Sequence, residues 1–146
     1  EILVLTGHDG LMRRKKGRGD SPSQDEIGNY RNSKYFMEAV RRARQRIPDK
    51  DALVIIAGAC QSYYEVLIEA GANFASSPER VFIHCYDPIL VAEKVAYTPI
   101  EQVVRVHEVL ENTITGLKGI GGLETRGRFR LGLPKIKEAK IEASGD

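Results

Sequence analysis

Two short stretches hold the residues best suited to chemistry. In "ILVLTGHDG" (2–10) His8 follows a wholly apolar run, and in "LVIIAGAC" (53–60) Cys60 does the same. Each run ends in a Gly-containing turn, then presents one side chain able to take part in nucleophilic catalysis. An imidazole within hydrogen-bond reach of a thiol lowers the thiol's pKa and relays its proton to a leaving group. If Cys60 opens a helix, the positive end of the helix dipole favours the thiolate further. The N–H of Cys60, with one from the Gly10 turn, could point at a developing oxyanion. Against this, lone His and Cys residues near sheet ends are commonplace, and most buried cysteines are inert packing residues.

Other residues compete for the same roles. Cys85 is a rival nucleophile with His84 beside it in "VFIHCYDP". Read as neighbours on a strand, the two point to opposite faces and do not form a dyad with each other. Their expected place is lining the site or packing the core. His107, in "VVRVHEVL", reads as structural, and His84, Cys85 and His107 lack any recognised zinc-ligand spacing. "GIGG" (119–122) follows no clear strand and completes no phosphate-loop fingerprint, so it reads as a flexible loop facing substrate. No metal or organic cofactor is expected.

These residues need a scaffold, and the hydrophobic pattern supplies one. Ile2–Thr6 and Leu53–Ala57 are continuous apolar runs of the kind buried on both faces of a parallel sheet. A polar segment from Asp9 to about Asn32 reads as a surface loop. Ser33 is a plausible N-cap for a helix reaching Arg46, with Tyr35, Phe36, Met37 and Val40 on its apolar side. A helix from Gln61 to Ala70 closes at Gly71, Val81–His84 reads as the third strand, and Pro88–Val95 as a short helix. Thr98-Pro99-Ile100-Glu101 has the form of a capping box opening a helix to about Asn112. The Gly-rich stretch after it holds one or two short strands, and residues 135–146 read as a tail. The expected fold is therefore α/β, a parallel-sheet sandwich with helices on both faces. Sites in such sheets form beyond the carboxyl ends of the strands, where both His8 and Cys60 fall.

Composition removes several classes of function. The 146 residues suit one domain with a sizeable core. No apolar run approaches the roughly 18 residues of a membrane span, and no secretory signal is visible. Two cysteines are too few for a disulfide framework, which favours a reducing compartment. A domain seldom begins inside a strand, so the chain reads as a piece of a longer protein lacking an upstream region. The net charge of +2 does not force a nucleic-acid partner, although "RRKKGRG" (13–19) and "TRGRFR" (125–130) cluster cations. Such runs are usually solvated loops; the alternatives are a patch for polyanions or a cleavable basic site.

His8 and Cys60 lie 52 residues apart, close to the spacing of about 50 in caspases, and "GAC" resembles their apolar-run-then-Ala-Cys signature. The segments "ILVLTGHDG", "NYRNSKYF", "IIAGACQSYYEVLIEAGANFASSPERV", "VAYTPIEQVV" and "ENTITGLKGIGGLETRG" together resemble the YabG family of sporulation-specific proteases. The resemblance covers residues 1–134, taken as the catalytic domain. It implies a caspase-like cysteine endopeptidase of the mother-cell cytoplasm that trims spore coat and cortex-associated proteins after arginine. It also implies Cys60 as nucleophile and His8 as general base. Neither a membrane nor a nucleic acid is expected as partner. The wider caspase-like pattern has Gly directly after His, whereas Asp9 intervenes here, which weakens Gly10 as an oxyanion donor. Asp9 itself reads as a solvent-facing turn residue.

Selectivity for arginine needs a carboxylate to pair with the guanidinium. Asp87, just past the expected third strand, is the candidate, equally readable as a cap for the helix starting at Pro88. The readings from other classes are a non-catalytic scaffold or binding domain of the spore coat and an α/β hydrolase of small esters or amides. Cleavage after arginine also makes Arg13, Arg14 and Arg18 candidate self-cleavage points. Active preparations are expected to be nicked in this loop; an intact loop in mass spectra after long incubation would contradict that.

Overall fold

The computed structural model describes residues 1–12 and 23–133. The apolar runs do become neighbouring strands. Strand β1 (Ile2–Leu5) pairs in parallel with β2 (Val54–Ala57), placing Leu5 opposite Ala57. Strand β2 also pairs in parallel with β3 (Phe74–Ser76). The antiparallel β5 (Ile120–Gly122) completes a mixed sheet of order β1-β2-β3-β5.

Alternation along the buried strands divides the core in two. Val54 and Ile56 of β2 and Phe74 of β3 pack with Val91, Val95, Val109 and Leu110. These last come from α3 (Asp87–Tyr97) and α4 (Val106–Leu110). Ile55, Ala57 and Ala75 face the other way, toward Val40 of α1 (Ser33–Arg46) and Leu67 of α2 (Tyr64–Glu69). Helices therefore cover both faces, and the two interior strands, β2 and β3, are fully buried.

Asn73 joins these layers where β3 begins. It is 2% exposed. Its side-chain oxygen accepts the Ile55 N–H at 2.9 Å and an Arg44 N–H at 3.1 Å. Its amide donates to Lys50 O and to Thr125 Oγ1.

Several expected elements are absent or displaced. The third strand is Phe74–Ser76, whereas 81–84 is irregular. Helix α2 starts at Tyr64, not Gln61. No helix opens at Thr98: its hydroxyl donates to Lys94 O and ends α3 instead. Pro99 bridges to Phe129, and β4 (Val103–Val104) pairs with β6 (Thr125–Arg126) before α4 begins. "GIGG" is not a loop but mostly β5, where glycine is obligatory: a Cβ on Gly122 would meet Asn73 O at 2.4 Å. Tyr35 is exposed, leaving Phe36, Met37 and Val40 as the packed side of α1. Among the described residues no helix is long and apolar enough to cross a membrane.

Replacing Asn73 by Ala strands the buried Ile55 N–H, so unfolding in urea should show a loss of about 3 kcal/mol. A loss within error would mean that the amide network contributes nothing.

Candidate active site

His8 and Cys60 each stand three residues past a paired strand end, Leu5 and Ala57 respectively. Both therefore lie at the carboxyl edge of the parallel strands. The Gly58 N–H still donates to Leu5 O, at 2.9 Å, so the pairing continues one residue beyond β2. Gly58 then turns the chain at φ +108, where an added Cβ would meet Leu67 Cδ1 at 2.9 Å. Glycine is required by both the angle and the space.

The turn that carries Cys60 is tied down by Asp9, which is half-buried rather than solvent-facing. Asp9 Oδ1 accepts the N–H groups of Gly10 and Asn32, both at 2.8 Å. Asp9 Oδ2 accepts the hydroxyls of Ser33 at 2.5 Å and Ser62 at 2.9 Å. Both serines are fully buried. Each hydroxyl also accepts a backbone N–H from the Cys60 turn: Ser62 Oγ from Ala59, and Ser33 Oγ from Tyr63, both at 2.8 Å. Ser33 is thus not the N-cap of α1, a position held by Asn32. Gln61 reaches back over the same loop, its Oε1 lying 3.4 Å from where a Cβ on Gly10 would stand.

On its other side the Cys60 turn meets residues 81–83. The Gln61 N–H donates to Val81 O at 3.0 Å. The Ile83 N–H donates to Cys60 Sγ at 3.4 Å, and the thiol lies 3.7 Å from Ile83 O. Among the described residues three non-glycine residues have positive φ, and all belong to this clamp: Gln61 (+55), Ser77 (+67) and Arg80 (+56). Such strain costs of order 1–3 kcal/mol per residue and gathers at functional sites.

Arg80 anchors the 77–83 segment from beneath. Its guanidinium donates to Tyr30 Oη and Glu65 Oε2, both at 2.5 Å, and to the carbonyls of Ser77 and Pro78. It also lies 5.1 Å from the Tyr63 ring centre, and Tyr63 stacks on Tyr30. Burial opposes the charge of Arg80, but its bonds to Glu65 and Tyr30 outweigh that and raise its pKa. Burial likewise pushes the Tyr30 hydroxyl up, with Arg80 pulling against it. Tyr64, the other tyrosine after Cys60, packs against the core.

The other expected site residues have different surroundings. His8 is exposed, and its carbonyl accepts the Asn32 side-chain N–H at 2.6 Å. The bonds to Cys60 Sγ come from the Ile83 peptide rather than from His8. The Gly10 N–H is occupied by Asp9, whereas the Cys60 N–H finds no acceptor among the described residues. Cys60 is four residues short of α2, a helix of six residues, so it does not open that helix. Asp87 is fully buried, with its oxygens taken by the N–H groups of His84, Ile114 and Thr115. His84 and Cys85 are exposed and off any strand, and Cys85 Sγ lies 4.0 Å from His84 Nδ1. His107 is exposed on α4. Arg13, Arg14 and Arg18, and the tail from 135, lie outside the described residues. Among those described no group of three His, Cys, Asp or Glu could hold a metal ion. Sequence reading missed the Asp9 hub, whose only signal was the Asp standing where the caspase-like pattern has Gly.

Asp9→Ala would leave two buried hydroxyls and two N–H groups without their acceptor, and should cost about 3 kcal/mol or more. Asp9→Asn, which keeps the shape, should cost less. Urea unfolding of the two variants tests the ranking, and equal stability to wild type would remove Asp9 as the hub.

No solved structure gives a significant match to this chain. The sporulation-specific protease YabG of Bacillus subtilis (strain 168) is 52% identical over 134 residues. That alignment takes in 92% of this chain and 44% of the relative, so the chain spans less than half of that protein's length. The family model for YabG peptidase U57 matches residues 1–134, and the chain belongs to that family.

Proposed function

We propose that this chain is the catalytic part of a sporulation peptidase working as a cysteine endopeptidase, with Cys60 as nucleophile and His8 as general base. The observation that carries the reading is the register of β1 and β2, which sets His8 and Cys60 equally far past paired strand ends. Family membership supports peptide-bond hydrolysis. In the proposed reaction the Cys60 thiolate attacks the scissile carbonyl, and the open Cys60 N–H donates to the oxyanion that forms. Imidazolium His8 protonates the leaving amine. His8 then takes a proton from water, which hydrolyses the acyl-enzyme. The step needs the exposed His8 ring to swing toward the sulfur when substrate binds; catalytic hydrogen bonds are often long before that.

The substrates we propose are spore coat and cortex-associated proteins in the mother cell, cut after arginine. A carboxylate is needed to pair with that guanidinium; Asp87, expected for the role, is buried with its oxygens on main-chain N–H groups. A second reading, with Cys85 as nucleophile, draws on its 4.0 Å approach to His84 Nδ1. That nitrogen already accepts the Tyr86 N–H at 3.2 Å, which leaves it poorly placed to take the thiol proton.

Hydrolysis of arginyl and alanyl fluorogenic peptides tests the proposal. Wild type and Cys85→Ala are expected to turn over the arginyl substrate, whereas Cys60→Ala and His8→Ala should fall by a factor of about 10³ or more. Loss with Cys85→Ala alone would move the chemistry to the 84–86 loop. Undiminished binding of coat proteins without any turnover would favour a scaffold.

A further inference from the structure

Asp87 is a fully buried carboxylate that the proposed chemistry does not use. Such a group is costly unless its oxygens are satisfied, and here main-chain donors from two loops satisfy them. Oδ1 accepts the Ile114 N–H at 2.7 Å and the Thr115 N–H at 3.4 Å. Oδ2 accepts the His84 N–H at 3.0 Å, which Thr115 Oγ1 shares at the same distance.

The His84 N–H belongs to the same planar peptide as the Ile83 carbonyl, and in a trans peptide the two point in opposite directions. Asp87 and Thr115 hold one edge of that plane. On the other edge lies Cys60 Sγ, 3.7 Å from Ile83 O, and the preceding N–H, that of Ile83, donates to the same sulfur at 3.4 Å. The shorter of these two contacts is the one that favours a thiolate.

We propose that Asp87 is a positioning residue for the nucleophile: by fixing the Ile83–His84 peptide it fixes Ile83 Cα, and through it holds the Ile83 N–H of the preceding peptide toward Cys60 Sγ. This rests on the reading of Cys60 as nucleophile. The titratable groups on the segments that meet the Cys60 turn are His8, three residues past β1, Asp9, bonded to Ser62, and His84 and Cys85, directly after Ile83. A negative charge nearby would disfavour the thiolate, whereas the positioning role favours it.

That opposition of sign gives the test. The rate of iodoacetamide alkylation is measured against pH in a Cys85→Ser background, where Cys60 is the only thiol. In Asp87→Asn the midpoint should rise by about one pH unit, slowing alkylation near neutrality by about tenfold. Thr115→Val, which leaves the charge in place, should give a smaller rise, and Thr115→Ser should restore the wild-type profile. A midpoint that falls in Asp87→Asn would make the charge the dominant influence and overturn the proposal. Unchanged midpoints in Asp87→Asn and Thr115→Val would reduce Asp87 to a structural role and also overturn it. If Asp87→Asn does not fold, the Thr115 pair decides alone. Peptidase activity surviving Cys60→Ala would sink the underlying assignment of the nucleophile, whatever the alkylation profiles show.

Discussion

One carboxylate organises the candidate site. Asp9 gathers four donors from three parts of the chain: its own loop, the start of α1, and the turn after β2. Sheet pairing brings the ends of β1 and β2 side by side but does not orient the turns beyond them. That orientation comes from Ser33 and Ser62, which pass the restraint from Asp9 to the N–H groups of Tyr63 and Ala59 on either side of Cys60. A polar network of this kind is strong when every member is satisfied and costly when one is missing. The cysteine is therefore held by an arrangement that tolerates little compromise.

The opposite side of the turn is built on different physics. There the 77–83 segment is bent through two left-handed residues, Ser77 and Arg80, and pinned by the Arg80 guanidinium among Tyr30, Tyr63 and Glu65. The strain is local, and the packing of Arg80 against two stacked rings offsets it. Between these clamps the Cys60 sulfur meets the Ile83 carbonyl, whose peptide has its far edge held by buried Asp87. Two acidic side chains thus bear on the same turn, Asp9 through the hydroxyls of Ser33 and Ser62 and Asp87 through a loop peptide.

How much of this the sequence disclosed depends on range. β1, β2, α1 and α3 were legible because a long apolar run or a clear helical face declares itself locally. The strand Phe74–Ser76 is only three residues with a small and a polar member, so the greasier Val81–His84 drew the assignment. The capping-box pattern at Thr98 was a sound local signal overruled by tertiary pairing of Pro99 with Phe129. His8 and Cys60 could both be placed at the carboxyl edge of the sheet because strand ends and parallel pairing are both readable. Asp9 could not, since its partners Ser33 and Ser62 stand 24 and 53 residues away and nothing in composition links them. Asp87 was noticed for its position at a helix start, but its burial and its main-chain partners are products of the folded loops.

Beyond His8 the chain closes on itself through a short paired neck. The chain leaves through Gly10–Met12 and returns through Asn29–Arg31, and these two stretches bond to each other. The Met12 N–H donates to Asn29 O at 2.8 Å, the Arg31 N–H donates to Gly10 O at 3.0 Å, and Leu11 bridges Tyr30. This closed neck lies between His8 and the basic residues, and Tyr30 at its base is buried against Arg80. Every bond of the neck and of the Asp9 hub is made by residues outside 13–22. The site's order is set by the neck, the hub and the 81–83 strip.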